Sequence, residues 1–221
     1  YTENPSMTLM RRRVRELTAT YIKPGHKVLE LGSGTGEDAL FLAENGCDVL
    51  ATDCSRKMLD LISGKVSSRQ LEDRVKVQLL DINNLDSLLA TWEGELNGIF
   101  SNFGGLNTIQ DLASLDPVMT RLLKPGGWLI ACVMGRHCLW DWLVDICQLK
   151  FNNLGKRRAK DGVVIGVGNY TVTTYFPTPG EFIQAFPGLR PESCKAVGLF
   201  LPPPRLTGKL EKLHHLWTLL D

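Results

Sequence analysis

Three glycines at alternate positions, Gly32, Gly34 and Gly36, follow the apolar residues Val28, Leu29 and Leu31, with Glu30 set among them. Glycine carries no Cβ, so the backbone at such a turn can come close to a bound molecule. The N–H groups that open the following helix stay available to that molecule's polar atoms. Asp53 lies 21 positions after Gly32, beside Cys54. A carboxylate there offers acceptors for a vicinal diol such as that of a ribose, or caps the helix that follows. Asp81-Ile82 closes a third apolar run, and Asn102-Phe103-Gly104-Gly105 closes a fourth. Asp81 is also placed to cap a helix, and Asn102 and Asn107 are placed to support a glycine turn. His137 follows a fifth apolar run, where an imidazole can act as a base or simply cap or sit at the surface.

The glycine spacing narrows the ligand. A dinucleotide site would read G-x-G-x-x-G. This chain reads G-x-G-x-G, followed by Glu37. Glu30 at the strand end also disfavours a pyrophosphate nearby, because like charges repel.

The elements that must hold these residues can be read from periodicity. Val28–Leu31, Val49–Asp53, Val75–Leu80, Leu96–Phe103 and Trp128–Met134 read as buried strands. Helical stripes separate them: Ala39, Leu40, Leu42 and Ala43; Met58, Leu59, Ile62 and Val66; a segment from Asn84; and Leu112 to Leu123. Alternating strands and helices predict an α/β, Rossmann-like, mostly parallel sheet with helices on both faces. A helix over residues 6–21 is expected from Met10, Val14, Leu17 and Tyr21, and it could cover the ligand site. Arg11, Arg12, Arg13 and Arg15 read mostly as its solvated face, with contact to an acidic substrate as the other reading.

Beyond residue 135 the pattern weakens. Residues 136–162 read as an insertion, an apolar helix with Trp140 and Trp142 followed by a basic stretch, forming a lid or a plain amphipathic helix and loop. Residues 163–176 read as strand, 179–186 as helix, 195–201 as a last strand, and 209–220 as a closing helix. Tyr170 and Tyr175 line an acceptor pocket or belong to the core. The expected organisation is one domain over 1–221: a core over 22–135, the lid over 136–162, and 163–221 completing the sheet.

With 221 residues, 43% hydrophobic and 22% charged, the chain can bury a sizeable globular core. A net charge of +1 gives no electrostatic footprint for nucleic acid, and no apolar stretch reaches the length of a membrane helix. Six cysteines without a C-x-x-C pair, and four histidines without ligand spacing, suggest a reduced, cytoplasmic protein with neither disulfides nor a metal.

The run Glu-Leu-Gly-Ser-Gly-Thr-Gly resembles the first motif of class I S-adenosylmethionine-dependent methyltransferases. Asp53, Asp81-Ile82 and the Leu-Lys-Pro-Gly-Gly at 123–127 extend that resemblance, in the expected order, over residues 27–134. It implies a seven-stranded sheet with an antiparallel last strand. It implies S-adenosylmethionine as cofactor, held by Glu30, Gly32, Ser33, Gly34, Gly36, Asp53, Cys54, Met58, Asp81, Ile82, Asn102 and Phe103. Asn107, Tyr170 and Tyr175 would meet a small-molecule acceptor, and His137 is the candidate base. Transfer to an oxygen or nitrogen, in specialised metabolism, is the expected activity. The family's members that act on nucleobases or glutamine carry Pro-Pro-aromatic after the fourth strand, and this chain does not. Metal-dependent members need a carboxylate cluster, and only Asp111 and Asp116 follow the fourth strand closely. The competing readings are an NAD-dependent oxidoreductase, a cofactor-binding protein without turnover, and a nucleic-acid methyltransferase. Oligomeric state is not legible.

Overall fold

The computed structural model describes residues 4–149, 155–167 and 170–199. Five parallel strands form the central sheet: β1 (Lys27–Leu31), β2 (Asp48–Asp53), β3 (Val75–Leu79), β4 (Leu96–Ser101) and β5 (Leu123–Ala131), in the order β3-β2-β1-β4-β5. Successive side chains leave a strand on opposite faces, so each strand feeds two cores. Val28, Val49, Ala51 and Phe100 enter one core; Leu29, Leu31, Leu50 and Ile99 enter the other. The first core is covered by α1 (Pro5–Tyr21), α2 (Glu37–Glu44) and α3 (Arg56–Ser68). On the second lie α4 (Leu89–Trp92), α5 (Asp116–Leu122) and α7 (Pro179–Gln184). By the same alternation Glu30 shares the face of Val28 and so points toward α1 and α2.

Helix α1 begins where Asn4 accepts hydrogen bonds from the N–H groups of Ser6 and Met7, with Pro5 in the first turn, where its missing N–H costs nothing. Its docking depends on small residues beneath it. A Cβ on Gly98 of β4 would stand 2.5 Å from Ile22 Cδ1, so the glycine makes room for the end of the helix. Tyr21 stacks on Trp128 at a ring-centroid distance of 4.5 Å.

Several expected elements differ. The fifth strand starts earlier than expected, at Leu123, and its register jumps from Leu123 opposite Leu96 to Trp128 opposite Gly98, so the Lys-Pro-Gly-Gly turn bulges out. The segment after Asp81 is 3-10 from Ile82 to Leu88 before α4 begins. Residues 163–176 are not one strand but the antiparallel hairpin β6 (Val163–Val167) and β7 (Tyr170–Thr174), which forms a separate two-stranded sheet. The single seven-stranded sheet is therefore, among the described residues, five parallel strands plus this hairpin. Residues 195–199 form no strand; 200 and 201, and the closing helix expected at 209–220, lie outside the described residues. The inserted helix is α6 (Leu139–Cys147). No helix among the described residues is long and apolar enough to cross a membrane.

Candidate functional site

The order β3-β2-β1-β4-β5 reverses direction between β1 and β4, and a crevice must open at the carboxyl ends of the strands there. A cavity of about 420 Å³ occupies that place. The ends of β1, β2, β3 and β4 each supply part of its wall, and α1 closes over it with Arg11.

The turn after β1 forms the floor. Gly32, Gly34 and Gly36 all have positive φ, at 68°, 54° and 79°, a region that L side chains avoid. They do different work. A Cβ on Gly36 would stand 2.8 Å from Ile62 Cγ1, so this glycine lets α2 pack on α3. A Cβ on Gly34 would meet nothing within 4 Å, because it would project into open space at the cavity wall. Gly32 approaches the second glycine turn: its Cβ would stand 3.4 Å from Gly105 Cα. The two glycine turns lie together, as their place at neighbouring strand ends required.

Asp53 joins turn to strand. Its Oδ2 accepts from Gly34 N at 2.9 Å and its Oδ1 from Ser55 N at 2.9 Å. Each carboxylate oxygen has a second lone pair, so both can still accept from a ligand. Asp81 caps the 3-10 segment, its Oδ1 accepting from the backbone and side-chain nitrogens of Asn83, and it also lines the cavity with Leu80 and Ile82. Capping and ligand contact are thus compatible at both acids. Cys54 lines the wall as well, its thiol pushed up by burial and by Asp53.

A charged cluster sits under α1. Asp38, 5% exposed at the start of α2, accepts from Arg15 Nε at 2.8 Å and from Asn102 Nδ2 at 2.9 Å. Arg11 approaches the same carboxylate at 3.7 Å and lies over the Phe103 ring, 5.0 Å from its centroid. Asn102 returns its Oδ1 to Phe103 N, which steadies Phe103 at a φ of 51°. Glu30 is 3% exposed, and its Oε2 is, among the described residues, the one buried side-chain polar atom without a hydrogen bond. Burial, with Asp38 adding to it, pushes its carboxyl up to about 8.

The structure therefore gathers Glu30, Gly32, Ser33, Gly34, Asp53, Cys54, Asp81, Ile82, Asn102 and Phe103 around one cavity. Gly36 stands behind it. Met58 is half-buried in the first turn of α3 and does not line the cavity. His137 is exposed, its ring edge-on to Trp142 at 5.6 Å, and is likewise away from the lining. Asn107 is 1% exposed and wholly occupied with backbone: it bonds Met134 N, Met134 O and Tyr175 O at 2.8, 2.9 and 2.6 Å. Those bonds correct its expected role as an acceptor contact. Tyr175 is half-buried beside it, off the lining, and Tyr170 is described only as backbone in β7. The sequence reading missed Arg11, Arg15 and Asp38. Two of the four arginines expected to be solvated, Arg11 and Arg15, turn inward. A signal was present: positions 11 and 15 share a helix face with Val14 and Thr18, which are buried.

A methyltransferase-domain family model matches residues 28–127. The methyltransferase GfsG of Streptomyces halstedii is 33% identical over 125 residues, 54% of this chain and 42% of that protein. A demethylmenaquinone methyltransferase of Clavibacter sepedonicus is 30% identical over 120 residues, 54% of this chain and 46% of its own length. The chain thus spans less than half the length of these relatives. Geranyl diphosphate C-methyltransferase of Streptomyces coelicolor, solved with Mg2+, geranyl diphosphate and S-adenosyl-L-homocysteine, shares the fold: TM-score 0.54, 15% identity, 79% of this chain and 56% of that one. The glycine turn, the acids at the ends of β2 and β3 and the matched span agree, and the chain belongs to the class I S-adenosylmethionine-dependent methyltransferases.

Proposed function

We propose that the protein transfers a methyl group from S-adenosylmethionine to an oxygen or nitrogen of a small molecule. The observation that carries this reading is the convergence, on one cavity at the sheet's switch point, of an open glycine wall, two acids with acceptor capacity left, and a buried carboxyl without a partner. Those residues fit the cofactor chemically. Asp53 would take the ribose hydroxyls, Asp81 the adenine amino group, and Leu80 and Ile82 would pack the ring. The turn at Gly32 and Gly34 would hold the amino-acid part, with Glu30 and Arg11 at its charged ends. The cofactor supplies an activated methyl on a sulfonium, so the protein's task is to hold the acceptor in line and exclude water. Arg11 and Phe103, closing the cavity from above, would contribute to that exclusion.

The acceptor would enter beyond Asn102 and Gly104, where the chain turns from β4 toward Met134. We read residues 136–162 as the cover on that side. Its support is its tethering: Arg157 pairs with Asp141 at 2.7 Å, donates to Gly135 O at 2.9 Å and lies over the Phe176 ring at 4.6 Å. No base is assigned, since His137 stands off the cavity; neutral amines and acidic phenols need none. The near-neutral charge of +1 favours a small acceptor over a nucleic acid. The relatives named above, one of which acts on demethylmenaquinone by name, support a small-molecule acceptor.

Titration calorimetry with S-adenosylmethionine, S-adenosylhomocysteine and NAD tests the cofactor. Micromolar binding of the first two without NAD is expected, and binding of NAD alone would overturn the reading. Acceptor screening with a labelled methyl donor then tests transfer; cofactor bound without turnover on any acceptor would favour a binding protein.

A further inference from the structure

We propose that Glu30 is a proton-exchanging docking point for an α-amino-acid group: the ligand's ammonium seats on Glu30, its carboxylate on Arg11, and each molecule bound drives one proton off Glu30. The inference rests on the cofactor reading above and concerns the amino-acid end of that ligand.

The geometry sets the argument. Glu30 lines the cavity, is 3% exposed and leaves Oε2 without a hydrogen bond. A buried polar atom without a partner is costly to keep, and such atoms point to something the site receives. The surrounding charges decide its ionisation. From α1 come Arg11 and Arg15; from α2 comes Asp38. Asp53 and Asp81 line the cavity from the ends of β2 and β3, already accepting from backbone N–H groups. Cys132, at the end of β5, is held neutral by burial. Asp38 has its hydrogen bonds from Arg15 and Asn102, so it stays an anion. A second carboxylate beside it has no cation of its own, and Glu30 is accordingly pushed up to about 8. In the ligand-free protein at neutral pH this corner therefore holds two guanidiniums, one carboxylate and one carboxylic acid.

An incoming zwitterion changes that balance. Its ammonium beside Glu30 favours the carboxylate form, and the proton passes to solvent. Its carboxylate finds Arg11, which reaches Asp38 only at 3.7 Å, longer than a hydrogen bond, and so has donors to offer. The occupied corner then carries two guanidiniums, two carboxylates and a neutral zwitterion, and its charges cancel.

The test is calorimetric. S-adenosylhomocysteine is titrated at pH 6.5 in two buffers of different ionisation enthalpy, and the difference in observed heat counts protons. Nearly one proton released per molecule bound is expected. Affinity should rise about tenfold per pH unit below neutrality and level off near the free-state value of about 8. The same titration with 5′-methylthioadenosine, which keeps the nucleoside and sulfur but lacks the amino-acid end, should release none. Glu30→Gln should bind S-adenosylhomocysteine without proton release. Binding of S-adenosylhomocysteine by the wild type with no proton exchanged overturns the proposal. So does release that persists with 5′-methylthioadenosine or in Glu30→Gln, which would put the proton on Asp53, Asp81 or the ligand. If Glu30→Gln does not fold, the two-ligand comparison on the wild type decides alone. Failure of S-adenosylhomocysteine to bind at all sinks the cofactor reading itself, and this inference with it.

Discussion

Gly34 and Gly36 sit two positions apart, both with positive φ, yet substitution should separate them cleanly. Gly36→Ala places a methyl against Ile62, where something must shift. A loss of about 1–3 kcal/mol in stability is expected from strain and overpacking together. Gly34→Ala meets no protein atom, so its stability cost should be about 1 kcal/mol, the left-handed penalty alone. Its methyl stands in ligand space, and affinity for S-adenosylhomocysteine should fall more than tenfold. Thermal melts and calorimetry on both variants check this; equal effects on folding and binding would mean that the two glycines do the same work. Glu30 gives a second prediction. Its folded value near 8 exceeds the ordinary carboxyl value of 4.5, so the unfolded chain gives up the proton first as pH rises. Stability contributed by the buried acid is full below 4.5 and is lost progressively up to about 8. Glu30→Gln removes that dependence. The ligand-free variant should gain on the wild type as pH goes from 5 to 8, with an upper bound on the order of 4 kcal/mol. Parallel stability curves across that range would refute it.

At the scale of elements, α1 is the part that the sequence described only by half. Its position, length and apolar stripe were legible, because a buried face must repeat at helical spacing. The inward turn of Arg11 and Arg15 was not, because charge on a lone helix reads as solvated until a buried partner is known. That partner, Asp38, lies across the glycine turn, and nothing local links the two. Arg15→Ala would leave Asp38, whose side chain is 6% exposed, with Asn102 and a distant Arg11. Removing one partner of a buried pair is expected to cost about 3 kcal/mol. The loss should appear first in α1: its backbone amides should exchange with solvent far faster than in the wild type, while those of β1 and β4 stay protected. Uniform loss of protection across the sheet would show that α1 is no separate unit. The strands followed the same division. Those buried on both faces, β1, β2 and β4, were read nearly to the residue, since uninterrupted apolar runs have few other homes. The fifth strand was misplaced at its start because Pro-Gly-Gly reads as an ending, whereas here it bulges out and pairing resumes after it.

For the molecule as a whole, the part that binds cofactor is carried by local signals: glycines, strand-end acids, turn after strand. The part beyond Ala131 depends on long-range contacts, and these leave little trace in the local pattern. Asn107 shows why. Read alone, an asparagine after a glycine turn is a candidate contact for a substrate. In the fold its amide holds Met134, where the chain leaves the parallel sheet, and Tyr175, where it returns from the hairpin. Tyr175 N donates in turn to Asn107 O at 2.7 Å. Asn107→Ala should therefore lower stability by about 2–3 kcal/mol through the unsatisfied backbone groups, yet leave S-adenosylhomocysteine affinity within twofold. Lost cofactor binding in a folded Asn107→Ala variant would return this residue to the ligand site.

That clasp has an evolutionary consequence. It pinches the chain at 134 and at 175, so the forty residues between form a loop already closed at its base. Lengthening a closed loop is thermodynamically mild: doubling it costs about 0.6 kcal/mol. A lineage could exchange, shorten or elaborate everything between the two pinch points while the cofactor cradle stays untouched. Acceptor preference could then drift in one stretch of gene, and methyl-donor chemistry would be inherited unchanged with the rest.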